Sequence, residues 1–448
     1  MRTNAAAANT ERTFEGAPAR IPAAPKQLER QVATCLLWEN TFYEKGSTVA
    51  DEIAATCRVV DVGDVAAMAV KARNDFKLRH VPLFLLAHLD LRRTEKPGLV
   101  AATVEQVVQR PDEMGELLSI IRKVDGGKRQ LKKILSAQIK KGLARTFRKF
   151  NAYQLAKWNR DSEIKLRDVL FLCHAKPKTD EQKATWPKLI NGSLEAADTW
   201  EVALSAGSDK KATWERLLTE GKLGYMALLM NLRNMTEAKV DGALVERALL
   251  DGAAGSRALP FRFVSALKHA PAYAQALSDA MVRAIDATER LSGTTLLVLD
   301  VSGSMNILLS QKGTLARWEA AGALGVLLRE VCESVRVFTF SNGLVEIPNL
   351  RGLPLIQNIG NSQPHQGTYL ANTLQALFRQ VSGAQRVIVV TDEQTHDGIV
   401  PPPDGAHGYI VNVAPYRPGL DVSGRWKRVN GFSERLVDWI RWEEVDQR

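Results

Sequence analysis

The stretch TTLLVLDVSGSM, residues 294–305, decides how the second part of the chain folds. Its apolar run shows no alternation, so both faces of the strand it forms are covered, as in a parallel sheet flanked by helices. The run ends at Asp300, and two hydroxyls, Ser302 and Ser304, follow on either side of Gly303. Three later runs of strand length, VRVFTFS, RVIVVTD and GYIVNVAP, are interleaved with the helical stretches RWEAAGALGVLLREV and YLANTLQALFRQV. Continuous apolar strands separated by helices predict an open, doubly wound α/β domain over residues 291–448. Its boundary falls at ERLSGTT, residues 289–295, where a helical pattern gives way to a Ser-Gly turn.

Upstream the period is different. From Gln27 to about residue 290, apolar residues recur every three or four positions between short breaks, as in VPLFLLAHLDLRR, LGYMALLMNLRNM and RFVSALKHA. This half is predicted to be all-α, and the short breaks make neighbouring helices antiparallel pairs in a stacked array. No strict sequence period accompanies it. The fold class is therefore mainly α plus α/β, with residues 1–26 expected to form a flexible tail.

At 448 residues the chain exceeds the roughly 250–300 that one core usually supports. No apolar run reaches the length of a membrane span, and the amino terminus lacks the basic and apolar regions of a secretory signal. The four cysteines, Cys35, Cys57, Cys173 and Cys332, form no C-x-x-C pair, which fits a reducing cytoplasm. A net charge of +10 points to a polyanionic partner if it is concentrated on one surface.

In an open α/β sheet, ligands bind beyond the carboxyl ends of the strands. Asp300, Ser302 and Ser304 lie there. So does Asp392, which ends RVIVVTD, while Thr368 sits in the Gly-led loop QGTYLANTL just before a helix. Three loops thus offer hard oxygens for Mg²⁺ or another divalent cation. The competing readings are an ordinary Asp/Ser turn, and a metal that only braces the loops. A nucleophilic serine is disfavoured because Asp300 and Val301, not a glycine two residues back, precede Ser302. Glu393, His396 and Asp397 beside Asp392 leave a metallohydrolase as a minor alternative.

The set Asp300-x-Ser302-x-Ser304, Thr368 and Asp392 resembles the metal-ion-dependent adhesion site of von Willebrand factor A domains. That resemblance implies direct ligation by Ser302, Ser304 and Thr368, with Asp300 and Asp392 acting largely through water.

The densest charge lies elsewhere. Between Arg122 and Asp168, fifteen basic residues face four acids. Leu131, Leu135, Ile139, Leu143, Phe147 and Phe150 recur at spacings of three or four, predicting one helix from Lys128 to Phe150 with Lys133, Lys140, Lys141, Arg145 and Arg148 opposite the apolar face. With acids at helical spacing nearly absent, the field is expected to be uncompensated, and an RNA or DNA backbone is its natural counterpart. A solvated lysine face is the bland alternative. Lys157, Arg160 and Arg167 extend the cluster by charge, and Tyr153, Trp158 and His174 are candidates to stack on bases.

Taken together, TFEGAPA, LARTFRKF, LRDVLFLCHAKPK, YMALLMNLRNMT, LDVSGSM and VTDEQ resemble the Ro (TROVE-domain) ribonucleoprotein family, in the manner of its bacterial or phage-borne members. The resemblance implies a ring of HEAT-like helical repeats over 27–290 joined to a von Willebrand A-like domain. It implies a non-enzymatic scaffold that binds small noncoding Y-like RNA and the single-stranded ends of misfolded RNAs, in bacteria with an exoribonuclease tethered through the RNA. It assigns Arg145, Arg148 and Lys149 to the family's basic helix, and His174 with Lys176 to its RNA-contacting segment. Without it, His174 reads equally as the capped end of a helix. A monomer is expected. The alternative class is a metal-dependent adhesion module that takes an acidic protein ligand.

Overall fold

The computed structural model describes residues 11–34, 46–159, 161–196, 199–205, 209–256, 258–285, 290–309, 314–422, 424–431 and 435–445. They fall into two compact units, one within 24–32 and 50–208, the other within 1–23, 33–49 and 209–448.

The described part of the first unit is helical. Its organising element is the helix His80–Leu91, whose residues from Val81 to Asp90 are all buried. Around it lie Val62–Asn74, Leu99–Val107, Pro111–Val124 and Ala137–Phe147, among others. Polar residues before the apolar runs start these helices: the side chains of Asp61, Ser136, Asn151 and Thr179 each accept a hydrogen bond from an early backbone N–H. Gly142 fixes the closest approach, since a Cβ there would lie 2.8 Å from Val104 Cβ and 3.0 Å from the Ala101 carbonyl.

The single helix expected from Lys128 to Phe150 is instead two. A short helix, Leu131–Ile134, ends at Leu135, and Ala137–Phe147 starts afresh. The cause is Ser136, whose hydroxyl oxygen accepts from Ile139 N at 3.1 Å while its O–H donates to the buried carboxylate of Asp90. Leu135, Ile139, Leu143, Phe147 and Phe150 are buried as the pattern required.

Among its described residues from 209 to 285 the second unit holds the α-helices Lys210–Thr219, Tyr225–Glu237, Gly242–Asp251, Pro260–His269 and Ala274–Ala284, ahead of the strand Leu291–Asp300. Its strands are β1 (Ala19–Arg20), β2 (Leu291–Asp300), β3 (Cys332–Phe340), β4 (Leu344–Ile347), β5 (Arg386–Thr391), β6 (His407–Asn412), β7 (Gly419–Leu420) and β8 (Trp426–Asn430). Six of them form one sheet in the order β4-β3-β2-β5-β6-β8. The sheet is parallel except at one edge, where the hairpin strand β4 pairs antiparallel with β3. The parallel sheet expected from the apolar runs carries this short, half-exposed edge strand in addition. Leu296, Val298, Val387 and Val389 pack against Leu370, Leu374 and Leu377 of the helix Leu370–Gln380. The other face carries Arg317–Val331, packed so that a Cβ at Gly325 would lie 3.1 Å from Leu299 Cδ1. Helices therefore cover both faces.

The change of period coincides with the start of β2 at Leu291, but packing does not divide there. Lys268 pairs with the carboxylate of Glu319, and Leu353 N donates to Ser278 Oγ at 3.2 Å, so the last helices share a unit with the sheet. Period reports element type, whereas unit membership follows the contacts those elements make.

Residues 11–20, expected to lie in a flexible tail, are fixed. β1 pairs antiparallel with β7, Ala17 and Ala19 are buried, and Thr13 Oγ donates to the Thr395 carbonyl at 2.7 Å. A turn at Gly16, with φ 101°, returns the segment on itself.

Candidate functional site

Strand order places the oxygen-rich loops at a switch point. From β2 the chain moves to β3 on one side and, after β4, to β5 on the other, so the loops after β2 and β5 diverge around a crevice. Asp300 closes β2 and Asp392 follows β5, both fully buried. Thr391 Oγ donates to Asp300 Oδ2 at 2.6 Å, and Ser302 N donates to Asp300 Oδ1 at 2.9 Å. Ser302 Oγ lies 3.3 Å from Ser304 Oγ, and both serines are buried. The Thr368 loop reaches both neighbours: Gly303 N donates to the Gln366 carbonyl at 2.8 Å, and Thr395 Oγ donates to the Thr368 carbonyl at 2.8 Å. The structure thus gathers the loops bearing all five predicted residues at one end of the sheet.

Burial, reinforced by the neighbouring charge of Asp392 and opposed by hydrogen bonds from Ser302 and Thr391, holds the Asp300 carboxyl well above its ordinary range. Two buried carboxylates repel unless a cation or proton intervenes. One cation is already near. Arg317, itself buried, has a guanidinium nitrogen 3.9 Å from Asp392 Oδ2, and it donates to Tyr416 OH at 2.9 Å. Neither Arg317 nor Tyr416 had a signal in the sequence, because RWEAAGALG reads only as a helix start.

The residues of the hydrolase alternative have structural partners. Glu393 is fully buried in a bidentate pair with Arg428, both contacts at 2.8 Å, and also accepts from Leu420 N. Asp397 caps the helix Leu370–Gln380, accepting from Ala371 N at 3.0 Å and Asn372 N at 2.8 Å. His396 stacks on Tyr369 and pairs with Glu15 at 2.9 Å. Among the described residues no group of three or more His, Cys, Asp and Glu side chains is placed to hold a metal, so the donor set at the strand ends is rich in hydroxyls.

The basic cluster lies in the first unit. Lys133, Lys141 and Arg145 are exposed and Lys140 and Arg148 half-exposed. The field is not uncompensated as expected, because acids reach it from both near and far in sequence: Arg129 pairs with Asp125 and Lys165 with Asp161 four residues away, Arg122 pairs with the distant Glu163, and Arg145 approaches Glu105 at 3.9 Å. Arg167 stands 3.9 Å from Asp168. Lys133, Lys140, Lys141 and Lys176 make no ion pair among the described residues. Lys149 rests its ammonium on the carbonyls of Glu105 and Val108 at the end of the helix Leu99–Val107, and partial burial there lowers its pKa. Its ammonium thus caps that helix while the residue stays exposed.

Arg148 Nε donates to the Lys176 carbonyl at 3.1 Å, bringing two predicted segments together. His174 is exposed and ends the helix Leu166–Cys173 in a left-handed conformation, φ 52°. Lys157 sits 5.9 Å over the ring of Tyr153, which is 52% exposed. Trp158 carries the guanidinium of Arg110 on its face at 3.6 Å, so its ring is covered from that side. Arg160 lies outside the described residues.

The crystal structure of the Deinococcus radiodurans RO (RSR) protein matches with a TM-score of 0.59 at 17% identity, covering 92% of this chain and 97% of that one. The sequence model of the TROVE domain matches residues 191–283, the helices that precede the sheet. No curated protein matches the chain. The chain thus shares the fold of that solved Ro protein, and its likeness to the TROVE domain in sequence is confined to residues 191–283. The basic cluster at 133–176 precedes the matched segment.

Proposed function

We propose that the chain is a non-enzymatic RNA-binding scaffold of the Ro ribonucleoprotein type, and that its first unit takes a small noncoding Y-like RNA. The observation that carries this reading is the set of cations Lys133, Lys140, Lys141 and Lys176, without ion pairs among the described residues, on elements that the Arg148–Lys176 contact draws together. Phosphates meeting these side chains release condensed counterions, which gives affinity without sequence readout. Tyr153 and His174 add flat rings on which splayed bases of single-stranded ends of misfolded RNAs stack. A role in RNA quality control or processing, with an exoribonuclease reaching the protein through the bound RNA, completes the reading, as does a monomeric, cytoplasmic state. No described helix is long and apolar enough to cross a membrane.

The strand-end site of the second unit fits a hard divalent cation such as Mg²⁺, by the chemistry of its donors: two buried carboxylates in electrostatic contact and two hydroxyls 3.3 Å apart. Ser302, Ser304 and Thr368 would hold it directly and Asp300 and Asp392 through water. The bound ion would offer a Lewis-acidic position to an acidic protein ligand. This chain's own residues orient the donors, with Thr391 and the Ser302 amide fixing the two oxygens of Asp300. The engagement of Glu393 and Asp397 in ion pair and helix cap favours this reading over hydrolysis.

Crosslinking the protein in cells and sequencing the attached RNA tests the function. Enrichment of one structured noncoding RNA supports it, and recovery of no RNA above background contradicts it.

A further inference from the structure

The segment Thr13–Arg20 forms a strap across the loop that follows β5, and its contacts converge on one carboxylate. Phe14 N donates to Gln394 Oε1 at 2.9 Å, and Gln394 N in turn donates to Asp392 Oδ1 at 3.1 Å. The Phe14 ring meets Tyr416 edge-on, with centroids 5.5 Å apart, and Tyr416 OH accepts from Arg317 Nη1 at 2.9 Å. Arg317 stops 3.9 Å short of Asp392 Oδ2. Phe14 therefore touches both routes to Asp392, one for each oxygen.

We propose that the strap is a positioning element for the cation site, with Phe14 holding Tyr416 so that Tyr416 retains Arg317 short of Asp392. The inference rests on the metal reading of the site. A guanidinium and a divalent cation compete for the same carboxylate charge. At 3.9 Å the guanidinium offsets the charge of Asp392 without a close hydrogen bond of its own to that oxygen. Loss of Phe14 removes the edge contact on Tyr416, and Arg317 closes on Asp392 as a full ion pair. Strap docking and cation binding are then linked, and by reciprocity each strengthens the other.

Phe14 is 45% exposed, so its truncation leaves the core intact. The test is Mg²⁺ titration calorimetry on the full chain. Phe14→Ala is expected to weaken Mg²⁺ binding roughly tenfold, within the usual range of intramolecular coupling, and adding Arg317→Gln to restore it. Amide exchange supplies a second readout in the unaltered protein, in which Mg²⁺ slows exchange at Phe14 and Ala17. Equal Mg²⁺ affinity in wild type and Phe14→Ala, or strap exchange indifferent to Mg²⁺, overturns the linkage. Weakening that Arg317→Gln does not relieve overturns the role of Arg317. A wild-type protein that binds no Mg²⁺ overturns the metal reading itself, and this inference with it.

Discussion

Arg148 Nε donates to the backbone carbonyl of Lys176 at 3.1 Å, while its own carbonyl accepts from Gln182 Nε2 at 3.0 Å. Segments well separated in sequence are thereby fixed side by side, which brings the cations Arg148 and Lys176 together. The effects on stability, ion binding and RNA binding can be measured site by site.

Ser136 is the hinge between the two basic helices. Ser136→Ala removes the cap on Ile139 N and leaves the buried Asp90 carboxylate without its hydroxyl donor. A lost cap costs about 1 kcal/mol and an unsatisfied buried acceptor about 1–3 kcal/mol more. Chemical denaturation should report a loss of that combined size.

His88 gives the first unit an acid sensitivity. Burial, with a smaller contribution from Arg58, pushes its pKa down to about 4, and its ring packs edge-on against Phe84. The unfolded chain takes up the proton near the ordinary value of 6.5. Stability from this group is therefore complete above that value and falls as the pH drops towards 4, by about 3 kcal/mol in all. Denaturation profiles over this window should flatten in His88→Leu.

Glu393 neighbours the predicted metal ligand Asp392, yet its partners are Arg428 and Leu420 N. Glu393→Gln breaks a buried pair and should cost about 3 kcal/mol, read as a lowered melting temperature. A hydrolase would instead show lost turnover at unchanged stability.

A cation held at the strand ends stabilises only the folded state. Mg²⁺ at a hundredfold excess over its dissociation constant should add about 2.7 kcal/mol, read by thermal melting and reversed by a chelator. Ser302→Ala and Ser304→Ala should melt at the same temperature with and without Mg²⁺.

Much of this was written in the local pattern. Uninterrupted apolar runs placed the strands of the sheet core, and strand-end polarity picked out Asp300, Ser302, Ser304 and Asp392. What the pattern concealed depended on contacts across distance. The spacing of Leu131, Leu135 and Ile139 runs through the break at Ser136 because the apolar spacing carries across it, so only the Asp90 partner betrays the new start. Glu105 and Glu163 lie outside or at the far end of the basic segment, so their pairings with Arg145 and Arg122 required the fold. Lys149 reads as one cation among many until the carbonyls at the end of Leu99–Val107 are seen beneath it. TFEGAPAR has neither period, and its strap depends on hydrogen bonds to residues 394 and 395 at the other end of the chain.

The most direct test of RNA binding by the first unit is the salt dependence of affinity for a structured noncoding RNA, compared between wild type and a variant with Lys133, Lys140 and Lys141 all changed to Gln. These side chains make no ion pair among the described residues, so the fold should be unaffected. The account predicts weaker binding at every salt concentration and a log–log slope shallower by about 2–3, since each lost phosphate contact removes about 0.7–0.9. Identical affinity and slope in the two proteins would contradict it.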